Sequence, residues 1–145
     1  MDIIKRNTDY ALRIIAVLND SFHTGEFISA RALSREAVVP YPLTCKLLQK
    51  LQKREIVKSE MGPRGGYFLA HSPDQISFLN IIETIQGPIR INRCFSGEYH
   101  CPLRGKCGLH DKLGRLQAEV VNSLQNSKIG DLGSKNEEFL KETKA

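Results

Sequence analysis

Cys94, Cys101 and Cys107 are separated by six and then five residues, and His110 follows after two more. Thiolates and an imidazole are soft sulfur and nitrogen donors, so such a run can wrap a soft metal centre. Cysteines in structural zinc sites usually come in pairs with roughly two to four residues between them, and this spacing is wider. An iron-sulfur cluster is larger than one ion and suits the wider spacing. Three cysteines also leave one coordination position to a different residue, which suits a sensor. Zinc stays open, as do oxidation of the thiols themselves and sensing through a bound partner protein. Cys45 stands alone and is expected to fill a small apolar contact. An enzyme built on Cys107 and His110 lacks a third group to orient the imidazole and any oxyanion motif.

Metal or thiol chemistry presupposes a reducing compartment. The chain has 145 residues, 21 Lys+Arg against 16 Asp+Glu, a formal net charge of +5 and 41% hydrophobic residues. That composition excludes a disordered chain and a large multidomain enzyme. No apolar run approaches the ~18 residues of a membrane span, and Met-Asp-Ile-Ile-Lys-Arg at the start lacks the apolar stretch of a signal peptide. A cytoplasmic protein with free thiols and no membrane partner is expected.

The cysteines need neighbours to place them. From Gly87-Pro88 to Cys107 the chain carries Gly97, Pro102 and Gly105 without apolar periodicity, a loop that something other than a core must order. Before it, Ile76 and Ile81 flank Ser77 with the spacing of a hydrophobic staple, opening a helix with Leu79, Ile82 and Ile85 that Gly87-Pro88 stops. After it, Leu109, Leu113, Leu116, Val120 and Leu124 recur at helical spacing. Such a stripe on a long C-terminal helix calls for a second copy of the chain, with packing inside its own domain as the alternative. Residues 127–145, with Gly130, Gly133 and balanced charge, are expected to form a mobile tail.

Nearer the start, Asn7-Thr8-Asp9 form an N-cap cluster before Ala11, Ile14, Ile15 and Leu18, predicting a first helix that ends near Asn19. Ser29 caps a short second helix containing Leu33 and Ala37 that stops before Val38-Val39-Pro40. Pro42 opens a third, with Leu43, Leu47, Leu48 and Leu51 on one side and Lys46, Gln49, Lys50 and Lys53 on the other. Residues 56–60 and 67–70 read as strands joined through Met61-Gly62-Pro63-Arg64-Gly65-Gly66.

This order describes a mainly α fold with a small β-hairpin wing: a winged helix-turn-helix over residues 1–72, a connecting helix and cysteine loop over 73–107, and a long dimerisation helix over 108–126. Between residues 44 and 70 stand six basic residues and two acidic ones, so most of the positive charge lies on the third helix and the wing. A lysine stripe alone is often only a solvated face; beside a wing on a basic domain it points to double-stranded DNA. Tyr41, Thr44, Cys45 and Lys46 would then lie near base edges. Lys46, Lys50, Lys53 and Lys58 would meet phosphates, and Arg64 the minor groove.

Thr8-Asp9-Tyr10-Ala11-Leu12-Arg13, Leu47-Leu48-Gln49-Lys50-Leu51, Gly65-Gly66-Tyr67-Phe68-Leu69-Ala70 and the three clustered cysteines together resemble the Rrf2 family of bacterial transcription regulators, over Lys5 to about Leu124. The resemblance implies a homodimeric winged-helix regulator, a repressor, that senses iron, redox state or nitric oxide through an iron-sulfur cluster. It leaves two candidates for the fourth ligand. His110 is similar to the histidine of members with a 2Fe-2S cluster, and Asp9 to the acidic residue that members with a 4Fe-4S cluster supply from the partner subunit.

Overall fold

A computed structural model describes residues 2–133. Helix α1 (Arg6–Phe22) buries Ala11, Ile14, Ile15, Val17 and Leu18 along one side. Helix α2 (Ala30–Ala37) starts where the Ser29 side chain accepts a hydrogen bond from the Ala32 amide at 3.1 Å, an N-cap that satisfies a donor the helix leaves open. Helix α3 (Tyr41–Lys53) has Pro42 in its first turn, and Leu47, Leu48 and Leu51 face the core. These aliphatic side chains form one cluster with Leu33, Val57, Leu69 and Ile81. Each fully buried Leu or Ile contributes about 1.5–3 kcal/mol.

The turn between α2 and α3 is tight. Val38 takes a left-handed conformation, with φ 55°, strained for a β-branched residue. The Val39 amide donates to the Ser34 carbonyl at 3.0 Å and the Ser34 hydroxyl donates to the Val39 carbonyl at 2.6 Å. Val39 itself is buried, so a core side chain and two hydrogen bonds hold the strained residue in place.

Strands β1 (Val57–Glu60) and β2 (Gly66–Leu69) pair antiparallel, Val57 opposite Leu69 and Glu60 opposite Gly66. On the other edge of β2, Tyr67 exchanges backbone hydrogen bonds with Ile28 at 2.7 and 2.9 Å. Two glycines permit this. Gly66 has φ 147°, and a Cβ there would sit 2.5 Å from the Ile28 carbonyl group; at Gly65 it would run into the Glu60 carbonyl oxygen.

Helix α4 (Phe78–Gln86) begins with a reciprocal cap. The Asn80 amide donates to the Ser77 hydroxyl at 3.0 Å and the Ser77 amide donates to the Asn80 side-chain oxygen at 3.1 Å. Then comes the cysteine loop, with one short 3-10 turn at Arg93–Phe95, and helix α5 (Gly108–Asn126).

The mainly α architecture with a two-stranded wing agrees with the sequence reading; three details do not. α1 starts at Arg6, so Asn7, Thr8 and Asp9 lie inside it rather than capping it, and it runs on past Asn19 to Phe22. The cap comes from elsewhere: the Gln86 side chain at the end of α4 accepts from the Lys5 amide at 3.0 Å and from the Thr8 hydroxyl at 2.7 Å. Each strand starts a residue away from its expected place. The segment after α5 was expected to be mobile, yet Ile129 is fully buried in the core and its amide donates to the Ile76 carbonyl at 2.9 Å. One apolar side chain anchors a stretch whose glycines and mixed charge suggest none. The remainder of that expectation, residues 134–145, lies outside the described residues.

Candidate nucleic-acid interface and cysteine cavity

Packing of α3 through its leucines leaves Tyr41, Lys46, Gln49, Lys50 and Lys53 exposed. Tyr41 is held from two sides. The Arg31 guanidinium lies over its ring at 4.6 Å, a cation–π contact, and its hydroxyl bonds the Cys45 thiol. That hydrogen bond pushes the Tyr41 phenol above its ordinary pKa, the Cys45 charge acting in the same direction and Arg31 against it. Tyr41 is therefore a neutral hydroxyl at physiological pH. Arg31 escapes sequence reading, because nothing in the spacing of α2 indicates which ring it will cover.

Thr44 corrects an expectation. It is fully buried, with its hydroxyl donating to the Pro40 carbonyl at 3.1 Å and to the Val39 carbonyl at 3.4 Å. A hydroxyl spent on the turn cannot reach a base edge. Cys45 is half-buried, beside Tyr41.

On the wing, Lys58 is exposed with its ammonium 5.3 Å from the centre of the Phe68 ring, and Phe68 in turn packs on Phe22 at 5.4 Å and Phe27 at 5.2 Å. This aromatic group fixes the hairpin against the end of α1. Arg64 is exposed in the turn between the strands. It also lines a groove of about 680 Å³ with Ser29, Ala32 and Pro63, between that turn and the start of α2.

Farther along, Cys94, Cys101 and Cys107 are free, half-buried thiols. Together with His110 they line one cavity of about 310 Å³, to which Arg93 and Arg104 add positive charge. That volume is about ten times the ~30 Å³ share of one water molecule, room for more than one ion. Arg93 lies 4.3 Å over the Tyr99 ring, and the His110 imidazole packs 5.1 Å from Phe95. Among the described residues no three His, Cys, Asp or Glu side chains converge on a single ion-sized point. Asp9 is not in this lining; its carboxylate pairs with Arg13 at 2.8 Å one turn along α1.

Helix α5 buries none of its residues, and Leu109 and Leu116 of its apolar stripe are exposed. Among the described residues no helix is long and apolar enough to cross a membrane.

The family model for Rrf2, described as an iron-dependent transcriptional regulator, matches residues 4–135. The chain belongs to the Rrf2 family. Among curated relatives, the transcriptional regulator IscR of Sodalis glossinidius is 28% identical over 128 residues, covering 88% of this chain and 76% of the relative. The transcriptional repressor NsrR of Streptomyces coelicolor is 29% identical over 128 residues, covering 86% and 84%. Among solved structures, CymR, the global cysteine regulator of B. subtilis, superimposes with a TM-score of 0.77 at 24% identity, covering 94% of this chain and all of that one. As a member of the Rrf2 family the chain is a DNA-binding transcriptional regulator and not an enzyme.

Proposed function

We propose that the chain is a homodimeric repressor whose operator affinity is set by an iron-sulfur cluster. Cys94, Cys101 and Cys107 would hold it, with His110 or Asp9 of the partner subunit as fourth ligand. The observation that carries this reading is the shared cavity, which gathers three thiols of the cysteine loop and an imidazole from the first turn of α5 beside two arginines. A bound iron-sulfur cluster supplies redox- and ligand-sensitive iron. The rest belongs to the chain. Arg93 and Arg104 would offset the negative charge of sulfurs bound to the cluster, and the Phe95 ring orients His110.

Tyr41 and Lys46 face base edges in the major groove, Lys50, Lys53 and Lys58 take phosphates, and Arg64 takes the minor groove. The stripe on α5 is covered by the same stripe of a second copy, which sets the distance between two reading heads. Ordering or releasing the cysteine loop shifts that distance. Coupling of this kind typically changes affinity about 5- to 150-fold.

Protein purified without oxygen is expected to be coloured and to carry iron and acid-labile sulfide, both lost in Cys94→Ala, Cys101→Ala and Cys107→Ala. Loss in His110→Ala but not in Asp9→Ala assigns the fourth ligand to the histidine; the reverse assigns it to the partner's Asp9. A colourless preparation without iron overturns the cluster. It would favour a second reading, which rests on the three free thiols lining one cavity: a peroxide, reduced to water, oxidises two of them to a disulfide, which would order the loop without metal.

A further inference from the structure

Two glutamines hold the stretch of chain between α4 and the cysteines, one at each end. Gln117, on α5, accepts from the Ile91 amide at 2.8 Å and donates its side-chain N–H to the Ile89 carbonyl. One amide group thus makes two hydrogen bonds to a backbone with no strand beside it, at the root of the cysteine loop. At the other end, Gln86 accepts from the Lys5 amide and the Thr8 hydroxyl and donates to the Ile3 carbonyl at 2.8 Å. Its partners lie about eighty residues away in sequence: Ile3 and Lys5 just before α1, and Thr8 in its first turn. Between Gln86 and Ile89, the first residue that Gln117 holds, run only Gly87 and Pro88, and Ile89 is buried. The proline and the buried isoleucine leave this link little freedom to absorb a displacement.

The path continues at both ends. Thr8 is fully buried and precedes Asp9, and α1 packs on α2, α3, α4 and the wing. Gln117 lies one turn along α5 from Leu113, which lines the cysteine cavity. From these contacts we infer that Gln86 and Gln117 are positioning residues of a mechanical relay, through which the cysteine loop and α5 set the placement of α1 and hence of the reading head. This deepens the proposed function and rests on it for the nature of the signal. A purely structural pair would stabilise the fold equally in both states of the loop; a relay changes the ratio between them.

The experiment uses the full chain, loaded anaerobically with iron and sulfide or stripped of both. Affinity is measured for a duplex the protein itself selects from a random pool. Gln117→Met and Gln86→Met keep the side-chain length and remove the amide. Each is expected to bring the loaded-to-stripped affinity ratio toward one by about 2- to 30-fold, and the double variant to lose little more than either single one, as two links in series require. If the wild-type ratio is large and both variants keep it, the relay is wrong. A wild-type ratio of one means that the sensing reading has failed, and hydrogen exchange then judges the relay by itself. Faster exchange of residues 3–9 in Gln117→Met supports the relay, because those amides do not touch Gln117. Unchanged exchange there overturns it. Should Gln117→Met fail to fold, Gln117→Asn, one methylene short, serves for both measurements.

Discussion

Helix α1 has 17 residues and buries seven of them, whereas α5 has 19 and buries none. Both carry apolar residues at helical spacing, but among the described residues only α1 buries them fully, while α5 rests against α4 with its stripe no more than half-buried. The same contrast holds between the two halves. In the reading head, α1, α2, α3 and the wing close on a single aliphatic cluster that includes Leu18, Leu33 and Leu48, all fully buried. In the cysteine loop, order comes from single polar and ring contacts: the Gln117 clamp, Arg93 on Tyr99, Phe95 on His110. The first region is held by this core, which Ile76, Ile81 and Ile129 from beyond the wing complete, and it tolerates charge on its outer face. The second has little apolar burial behind it, and elements of that kind are the ones that ligands and partners move.

The strongest way to sharpen this contrast is to cut the same kind of side chain from each half. Leu48→Ala, in the core, should cost about 2–5 kcal/mol of folding stability in denaturant titrations. Leu116→Glu, on the exposed stripe, should leave helix content unchanged by circular dichroism and convert the proposed dimer to monomer in sedimentation. Next comes the wing. Gly66→Ala places a methyl against the Ile28 backbone at a φ that L-residues rarely adopt, so it should cost about 1–3 kcal/mol and weaken DNA binding through a displaced hairpin. In the loop, Cys94→Ala should change stability of the metal-free protein by less than about 0.5 kcal/mol while abolishing iron binding. A large loss of metal-free stability in this variant would break the contrast.

Smaller effects test the reading face. Lys50→Ala should weaken binding evenly across sequences and reduce the salt slope by about 1. Thr44→Val should cost about 1 kcal/mol by removing the donor to Pro40 and Val39, with no change in which duplexes are selected, since the hydroxyl is buried.

Much of the reading head was legible in sequence because its signals are local. Ser29 capping α2, Pro42 opening α3, Ser77 opening α4 and the i, i+4 leucines each act within one or two turns of themselves. What the sequence hid depends on contacts between distant residues. The start of α1 is capped by Gln86, at the end of α4 beyond the wing, so Asn7-Thr8-Asp9 mislead. Ile129, between Lys128 and Gly130, looks like a solvated side chain in a charged tail until the space beside Ile76 is seen. Thr44 has the right position for a base contact and the wrong orientation, because the strained turn at Val38 and Val39 draws its hydroxyl inward. At the candidate metal centre, spacing gave the donors Cys94, Cys101, Cys107 and His110, and the structure sets all four in one cavity wall. Arg93 and Arg104 joined that wall without any sequence signal.

The most direct measurement is the affinity of one anaerobic preparation for its self-selected duplex, taken before and after a chelator strips its iron. A change of about 5-fold or more, restored on reloading iron and sulfide and absent in Cys94→Ala, is the result expected. Equal affinity before and after, in protein shown to have lost its iron, would contradict the claim that the cysteine cavity governs the reading head.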